Sequence, residues 1–310
     1  MDQLQTLLKQ RNILFVANCP IARYSTFRIG GRAKLAVFPK SREQLVQALL
    51  GVAETGVRYA VVGRGSNLLF PDGEFDGVLI FTGSASEILE NGAFLEVSAG
   101  ASLAAIAIRA RNLSLGGMEF AAGIPGTLGG AVRMNAGAYG SCMAQVVRWV
   151  DCWNATTLRV ERFEEGSHGF GYRTSRYAHT PELTVIAAGL ELYSREQREI
   201  DALMEDYRRR RMASQPLEYP NAGSIFKNPE GDAAGRLIED CGLKGVSVGG
   251  ARVSDKHANF IVNTGGACRR DVLELIDLIR TQVQKTYGVS LECELQDLES
   301  IVIKDNDRTK

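Results

Sequence analysis

A glycine-rich run at residues 123–140 is the feature that most constrains how this 310-residue chain folds. It contains six glycines and one proline, and it carries little charge. Glycine lets a backbone approach a ligand or another segment closely, but it weakens any helix or strand that it enters. Two interpretations follow: the run lies against a flat, phosphate-bearing cofactor, or it is a surface loop or a tightly packed helix start.

Composition excludes several classes of protein. The length predicts two or three domains. Acidic and basic residues balance at 36 each, which argues against a nucleic-acid or membrane-surface partner. The first ten residues resemble a short amphipathic helix rather than a signal peptide, and no apolar stretch reaches the ~18–20 residues of a membrane span. The six scattered cysteines form no Cys-x-x-Cys pair and the three histidines no zinc pattern, so we expect reduced thiols, no metal and a cytoplasmic protein.

Apolar periodicity predicts a βαβ unit in the first part of the chain. Ser41 and Gln44 have the spacing of a capping box, which opens a helix that runs to about residue 55. Short apolar runs at 58–62 and 78–81 are typical of buried strands. A glycine turn directly follows the first of these strands, and ligands of α/β sheets bind at the carboxyl ends of strands. The turn is therefore a candidate ligand site.

The remaining patterns predict an α+β arrangement. In the middle of the chain a helix at 102–111 lies among strands rich in branched residues at 94–98, 146–153, 158–163 and 183–192. Beyond a charged helix at 195–211 we expect strands and helices in alternation at 224–227, 233–241, 258–263, 270–287 and 289–295. The basic run 208–211 ends the charged helix, and we favour a solvated helix end over a phosphate contact.

The glycine turn after the first strand has the geometry of an anion site. Successive backbone N–H groups in Gly63-Arg-Gly-Ser-Asn can form an anion-binding nest. The third glycine of a dinucleotide fingerprint is missing, because Leu68 stands there, and the chain has no P-loop. A hairpin turn would explain this motif alone. Together with residues 123–130, however, it predicts two loops that hold a dinucleotide pyrophosphate between them.

Three further motifs carry polar side chains that chemistry can use. Arg173, beside Tyr172, can bind a carboxylate bidentately or simply be solvated. Ser224 has no neighbouring histidine, so it is no triad nucleophile; it can donate a proton to a carbanion, or serve as a turn or cap residue. Alternation of polar and apolar residues places Glu292 and Glu294 on one face of a strand. Repulsion between the two carboxylates could raise the pKa of one of them. The alternative is a solvent-exposed strand face, which we favour.

These motifs, in their order, make the chain resemble the UDP-N-acetylenolpyruvoylglucosamine reductases, the MurB family of peptidoglycan synthesis. Each motif alone is short, but the ordered set is specific. Two of the most telling pieces read Tyr-Arg-Thr-Ser and Asn-Ala-Gly-Ser-Ile-Phe-Lys-Asn-Pro. The matching segments are 25–31, 62–69, 119–130, 134–140, 172–175, 215–229, 249–260 and the strand with the two glutamates.

The resemblance implies an α+β, three-part flavoprotein of the vanillyl-alcohol-oxidase/PCMH type, with a C-terminal α+β substrate domain. The implied parts are FAD-binding subdomains at 1–82 and 83–194 and a substrate-binding domain at 195–310, whose last strand and tail can pack back near the FAD domain. The implied reaction reduces UDP-N-acetylglucosamine enolpyruvate to UDP-N-acetylmuramate, with non-covalent FAD and with NADPH as hydride donor. We further expect a monomer whose partners are these small molecules.

The resemblance also assigns residues by position. Arg173 supplies a cation for the substrate carboxylate, Glu294 assists there as a protonated or hydrogen-bonding group, and Ser224 delivers a proton to C2. A role for Lys227 in polarising Ser224 is a further hypothesis. The implied substrate-binding residues are Tyr172, Asn228 and His257. The implied FAD-binding residues are Gly63, Arg64, Gly65, Ser66, Asn67, Leu68, Gly123, Ile124, Pro125, Gly126, Thr127, Gly129 and Gly130.

The chain departs from the family pattern at two places. Ser214 stands where a lysine is usual, so the diphosphate contacts are open and Arg209–Arg211 are candidate substitutes. The residues after Glu294 also differ, and a short segment at 229–234 suggests the compact branch of the family. Two rival hypotheses are another flavin-dependent oxidase or dehydrogenase of this fold and a non-catalytic flavin-binding paralogue. The lack of histidine in residues 1–167 argues against a histidine-tethered flavin.

Overall fold

The first part of the chain forms a mixed four-stranded sheet with two helices packed on it. In this computed structural model, which describes residues 1–303, the strands lie in the order β1-β2-β5-β3, and β2, β5 and β3 are parallel. Ser41 Oγ accepts a hydrogen bond from Gln44 N, so the predicted cap is confirmed. The elements are α1 (Asp2–Gln10), β1 (Leu14–Pro20), β2 (Arg32–Phe38), α2 (Arg42–Thr55), β3 (Tyr59–Val62), β4 (Leu68–Leu69) and β5 (Glu74–Phe81).

The middle part is built on a five-stranded antiparallel sheet in the order β12-β11-β13-β7-β6. Its central strand β13 is buried on both faces, because α2 packs on one side and α4 on the other. The elements are β6 (Ile88–Asn91), β7 (Phe94–Ser98), α3 (Leu103–Asn112), β8 (Leu115–Gly116), α4 (Leu128–Met134), β9 (Gly137–Ala138), β10 (Ser141–Cys142), β11 (Val147–Asn154), β12 (Arg159–Glu164), α5 (Arg176–His179), β13 (Leu183–Glu191) and β14 (Tyr193–Ser194).

The last part is a small α+β unit around the long helix α8. The apolar period of 3.6 buries one stripe of that helix, from Val272 to Val283, against α7 and a three-stranded sheet in the order β15-β16-β17. The elements are α6 (Gln197–Ser214), α7 (Ala234–Asp240), β15 (Ser247–Val248), β16 (Ala251–Val253), β17 (Ile261–Asn263), α8 (Arg269–Tyr287) and β18 (Gln296–Asp297).

Two predicted strands are wrong. Residues 224–227 and 289–295 meet in a single bridge, Phe226 with Cys293, rather than in a ladder. Bends at Gly223 and Ile225 leave the first segment too short and too irregular to support regular pairing. The predicted strand 258–263 is also shortened to β17, because residues 254–260 form a hydrogen-bonded turn.

The three parts share cores and strands. Trp153 and Ile186 of the middle sheet belong to the core under α2. The tail returns to the first part, where β18 pairs with β4 and Ile303 bridges to Tyr59. Helix α6 packs on α3 and on residues 119–121, so it belongs to the middle core by its contacts. The division at residues 82 and 194 therefore stays a prediction.

The described residues bear on two other expectations. All six cysteines are free thiols, as predicted. Among residues 1–303, no helix combines the length and apolar character that crossing a membrane requires.

Candidate active site

The two glycine-rich segments face each other across a cavity of about 400 Å³. They touch at Gly63, where an added Cβ would lie well inside contact distance of Thr127 Oγ1. A side chain there would force the segments apart, so this close approach requires glycine. The predicted residues that line the cavity are Gly63, Arg64, Gly65, Ser66, Asn67, Leu68, Ile124, Pro125, Gly126, Thr127, Gly129, Gly130, Arg173, Ser224 and Glu294.

The glycine-rich run is part loop and part helix. Helix α4 begins inside it, at Leu128, and its first two amides donate to the carbonyls of Ala101 and Ala99. Those two N–H groups are therefore committed to the protein. Gly123 lies outside the cavity lining, and its Cβ position faces the Arg211 side chain at 3.1 Å from Cδ. Residues 124–127, 129 and 130 thus line the cavity, whereas Gly123 does not, and the Cβ position of Gly129 lies against Ala99, 3.1 Å from its Cβ.

Arg173 occupies a tight two-residue turn. Gly171 and Thr174 exchange backbone hydrogen bonds across it, and Arg173 takes a left-handed backbone with φ 55°. Left-handed backbone in a non-glycine residue costs energy and clusters at functional sites. The turn directs the guanidinium to Glu294, with Arg173 Nε 3.0 Å from Oε1. This N–H is not aligned with the carboxylate, so the buried donor has no well-formed hydrogen-bond partner within residues 1–303.

Glu294 is held by the glycine turn and by the Ser224 segment together. Asn67 Nδ2 donates to the Glu294 carbonyl at 3.0 Å, and Glu294 N donates to Ile225 O at 2.8 Å. These bonds bring Ser224, which precedes Ile225, to the same cavity wall. Burial raises the pKa of the Glu294 carboxyl, while Arg173 and Lys227 oppose that shift. The protonated form is therefore more accessible than in an exposed glutamate.

The two glutamates do not form the like-charge pair that alternation allowed. The Glu292 side chain is 71% exposed and pairs with Lys227, whose Nζ lies 2.5 Å from Oε1. The Glu294 side chain is 18% exposed and pairs with Arg173. The raised pKa of Glu294 follows from burial, since the segment is not a flat strand and the two side chains meet different partners. Lys227 is likewise engaged by Glu292, so its hypothesised role at Ser224 has no support here.

None of the three predicted substrate-binding residues lines the cavity. Tyr172 is exposed and its hydroxyl accepts from Asn228 N at 3.5 Å. The Asn228 side chain in turn accepts from Ala234 N at the start of α7. His257 is folded inward, with Nδ1 accepting from Asn259 N, and burial lowers its pKa. Tyr172 and Asn228 are brought together outside the cavity lining, whereas His257 hydrogen-bonds within its local turn.

Sequence reasoning missed the cationic character of the cavity. Among residues 1–303, four arginines and one carboxylate line it: Arg64, Arg133, Arg173, Arg211 and Glu294. Arg209 and Arg210, two of the three candidate substitutes, are exposed and paired with Asp206, and only Arg211 of that set faces the cavity. Helical spacing could have predicted that Arg211 faces inward. Met204 and Tyr207 pack against the middle core, and they lie on the same face of α6 as Arg211.

A polyanionic, flat ligand fits this cavity. Cβ atoms added at Gly126 and Gly130 would have no protein atom closer than 3.7 Å and 3.9 Å, so the glycines leave open space. Gln215 Oε1, also at the cavity, is a buried acceptor without a hydrogen-bond partner among the described residues. Excess positive charge matches a pyrophosphate. None of the three histidines lines the cavity, so a histidine-tethered flavin does not fit.

Comparison with known proteins agrees with this cavity. A family model described as the C-terminal domain of UDP-N-acetylenolpyruvoylglucosamine reductase matches residues 215–298, and an FAD-binding-domain model matches residues 33–161. UDP-N-acetylenolpyruvoylglucosamine reductase 2 of Symbiobacterium thermophilum is 44% identical over 282 residues, which cover 89% of this chain and 90% of that protein. The reductase of Anoxybacillus flavithermus is 42% identical and covers 96% of this chain and 98% of its own length.

The chain belongs to the UDP-N-acetylenolpyruvoylglucosamine reductase family. The crystal structure of the family member from Thermus caldophilus has 35% sequence identity and a TM-score of 0.77, covering 92% of this chain and 98% of that one. A berberine bridge enzyme variant, at 13% identity and a TM-score of 0.50 over 63% of this chain, shares the fold alone. The expected PCMH-type FAD-binding fold with a reductase C-terminal domain is confirmed.

Proposed function

We propose that this chain reduces UDP-N-acetylglucosamine enolpyruvate to UDP-N-acetylmuramate with NADPH, using FAD, in peptidoglycan precursor synthesis. One observation carries the proposal: Arg173, Ser224 and Glu294 converge on one cavity walled by the two glycine-rich segments. Family membership fits that reaction, since the relatives bear the reductase name over nearly their whole length. We also propose a cytoplasmic monomer, in keeping with the balanced charge.

The chain would hold FAD with residues 63–68 and 124–130, whose backbone forms much of the cavity wall. When bound, FAD supplies the hydride, taken from NADPH, that adds to C3 of the substrate's vinyl group. The protein's task is then to stabilise the charge that develops on the other half of the substrate. Addition of hydride at C3 leaves an electron pair shared between C2 and the carboxylate, and a proton at C2 completes the reduction.

Arg173 is suited to that developing charge. Its buried Nε–H lacks an aligned partner in the part of the chain that the structure describes, so a substrate carboxylate can take the bond that Glu294 does not fully satisfy. A fixed cation at the carboxylate binds the electron-rich intermediate more strongly than the ground state, and only this difference speeds the reaction. The backbone hydrogen bonds between Gly171 and Thr174 hold the left-handed turn, and with it the guanidinium, in place before substrate arrives.

Glu294 acts beside Arg173 as a hydrogen-bond donor. An ionised carboxylate next to the substrate anion would repel it, whereas a protonated one can donate. Burial raises the pKa of Glu294 and so favours the donor form. Ser224 supplies the C2 proton from its weakly acidic hydroxyl because the enolic carbanion is a strong base, and the serine alkoxide that remains regains a proton from solvent. Gly223, with φ 78°, brings the serine to the cavity wall.

We propose that Arg211 binds the diphosphate of the UDP-sugar substrate, because Ser214 stands where a lysine is usual in the family. It faces the cavity from the end of α6, and burial lowers its pKa because no carboxylate among the described residues pairs with it. Charged hydrogen bonds contribute about 1.5–3 kcal/mol. Arg211→Ala should therefore weaken binding of the UDP-sugar substrate by at least tenfold in a binding titration. Arg210→Ala, which removes an exposed arginine paired with Asp206, should change affinity less than twofold in the same titration.

The proposed activity is tested by NADPH consumption. FAD-loaded protein should oxidise NADPH rapidly when UDP-N-acetylglucosamine enolpyruvate is present and only slowly without it. The product should carry two more hydrogens than the substrate by mass. No substrate-dependent turnover by flavin-loaded protein would refute the proposal and favour a non-catalytic paralogue.

A further inference from the structure

We propose that Asn135 is a positioning residue for Arg173. Asn135 ends helix α4 inside the glycine-rich run, and its side chain is almost fully buried, with 6% exposed. Nδ2 donates to Gly171 O at 2.9 Å, and Oδ1 accepts from Ala144 N at 2.9 Å. The amide therefore joins the Arg173 turn to the segment that follows the run. The inference rests on the role proposed above for Arg173.

The bond from Asn135 reaches the residue on which the turn depends. Gly171 closes the two-residue turn with Thr174, and the turn encloses Arg173. A left-handed arginine has competing right-handed conformations of lower intrinsic energy, so it needs outside contacts to stay in place. The donated hydrogen bond fixes one end of the turn against α4.

A second bond fixes the other end of the same turn. Ser175, which is fully buried, donates from Oγ to Arg133 O at 2.7 Å. The carboxyl end of α4 thus forms hydrogen bonds on both sides of the Arg173 turn, through the Asn135 side chain and through the Arg133 carbonyl. Small misplacements of a catalytic group are costly, since about 1 Å can lower a rate by roughly 100-fold.

Asparagine suits both demands at position 135. Its own backbone is left-handed, with φ 43° and ψ 55°, a conformation that asparagine tolerates better than most residues. Its amide provides a donor and an acceptor at once, which no aliphatic or acidic side chain does at neutral pH. The asparagine of the run therefore serves the chemistry at Arg173 rather than contacting the cofactor itself.

Asn135→Asp isolates the donated bond. Aspartate tolerates left-handed backbone and keeps the acceptor for Ala144 N, but when ionised it has no donor for Gly171 O. Stopped-flow measurement on FAD-loaded protein should show flavin reduction by NADPH within twofold of wild type. Reoxidation by UDP-N-acetylglucosamine enolpyruvate should be about 10- to 100-fold slower, because only this step uses Arg173.

Protonation provides an internal rescue. A buried aspartate has a raised pKa, and its protonated form regains one O–H donor. The ratio of the Asn135→Asp reoxidation rate to the wild-type rate should therefore rise as the pH is lowered. A role that is merely structural would slow both half-reactions and would not give this trend.

Asn263→Asp is the matched control. Asn263 is another buried asparagine, which donates to Phe27 O at 3.1 Å and accepts from Gly265 N at 2.9 Å, away from the Arg173 turn. The Asn263→Asp variant should leave the ratio of the two half-reaction rates at its wild-type value. Two results for Asn135→Asp would overturn the inference about Asn135: an equal slowing of both half-reactions, or a reoxidation rate equal to that of wild-type protein. Failure of wild-type protein to reoxidise with substrate would instead overturn the proposed function.

Discussion

Replacing Arg173 separates the cost of its backbone from the value of its side chain. Arg173→Ala and Arg173→Gly delete the same guanidinium, but only alanine keeps a Cβ at φ 55°. An L-residue in left-handed backbone costs about 1–2 kcal/mol, and glycine costs about 0.5–1 kcal/mol in extra chain entropy on folding. The glycine variant should therefore be more stable than the alanine variant by on the order of 1 kcal/mol.

The same two variants should be equally inactive in the substrate half-reaction. Removing one preorganised donor to a developing anion typically lowers the rate by about 10²–10³-fold. Urea unfolding with matched FAD loading compares the stabilities, and flavin reoxidation by substrate compares the activities. Arg176→Ala, which removes an exposed arginine from the adjoining helix, is the control and should keep near-normal reoxidation.

Two outcomes would refute this reasoning. If the alanine variant were at least as stable as the glycine variant, the left-handed backbone would cost no more than the roughly 0.5–1 kcal/mol of glycine's extra chain entropy, which is less than the reasoning requires. If the glycine variant reoxidised within threefold of wild type, Arg173 would not be the cation at the substrate carboxylate.

Two further predictions concern the carboxylate and the cofactor cradle. Because burial raises the pKa of Glu294, the folded chain keeps this proton to higher pH than the unfolded chain, and the stability it contributes is lost as pH rises through the raised pKa. Thermal melts should therefore show Glu294→Gln gaining stability relative to wild type as pH rises above 4.5, the ordinary glutamate value, and a stability difference that stays constant over that range would contradict the raised pKa. Gly63→Ala should weaken FAD binding in a fluorescence titration by about 5- to 150-fold, the equivalent of 1–3 kcal/mol of overpacking against Thr127. Gly73→Ala, where a Cβ meets no atom within 4 Å, should bind FAD normally, and equal affinities for the two variants would contradict the close-approach argument.

Local signals predicted the regular elements well. Helix α2 begins where the Ser41 cap places it, and α8 follows its 3.6-residue apolar stripe. The structure of the second half of the glycine-rich run was harder to predict, because it depends on contacts with residues distant in sequence. Tyr139 and Gly140 form the turn of the β9–β10 hairpin, and the Tyr139 ring stacks on Tyr207 of α6. Nothing local in the run specifies that partner.

The catalytic geometry depends on contacts that are distant in sequence. Alternation placed Glu292 and Glu294 together, but their separate partners, Lys227 and Arg173, decide their environments. The left-handed turn at Arg173 had no local signal either, since Tyr-Arg is not a typical turn pair. Family resemblance supplied the choice of Glu294, and the differing burial of the two side chains supplies its physical reason.

The most direct test of the central claim is a single turnover of the bound flavin. FAD-loaded protein is reduced anaerobically with one equivalent of NADPH and then mixed with UDP-N-acetylglucosamine enolpyruvate. The account predicts rapid return of the oxidised flavin spectrum with one UDP-N-acetylmuramate formed per flavin, and a loss of that return in Ser224→Ala. A flavin that NADPH reduces but that the enolpyruvyl substrate leaves reduced, while oxygen reoxidises it, would contradict the account.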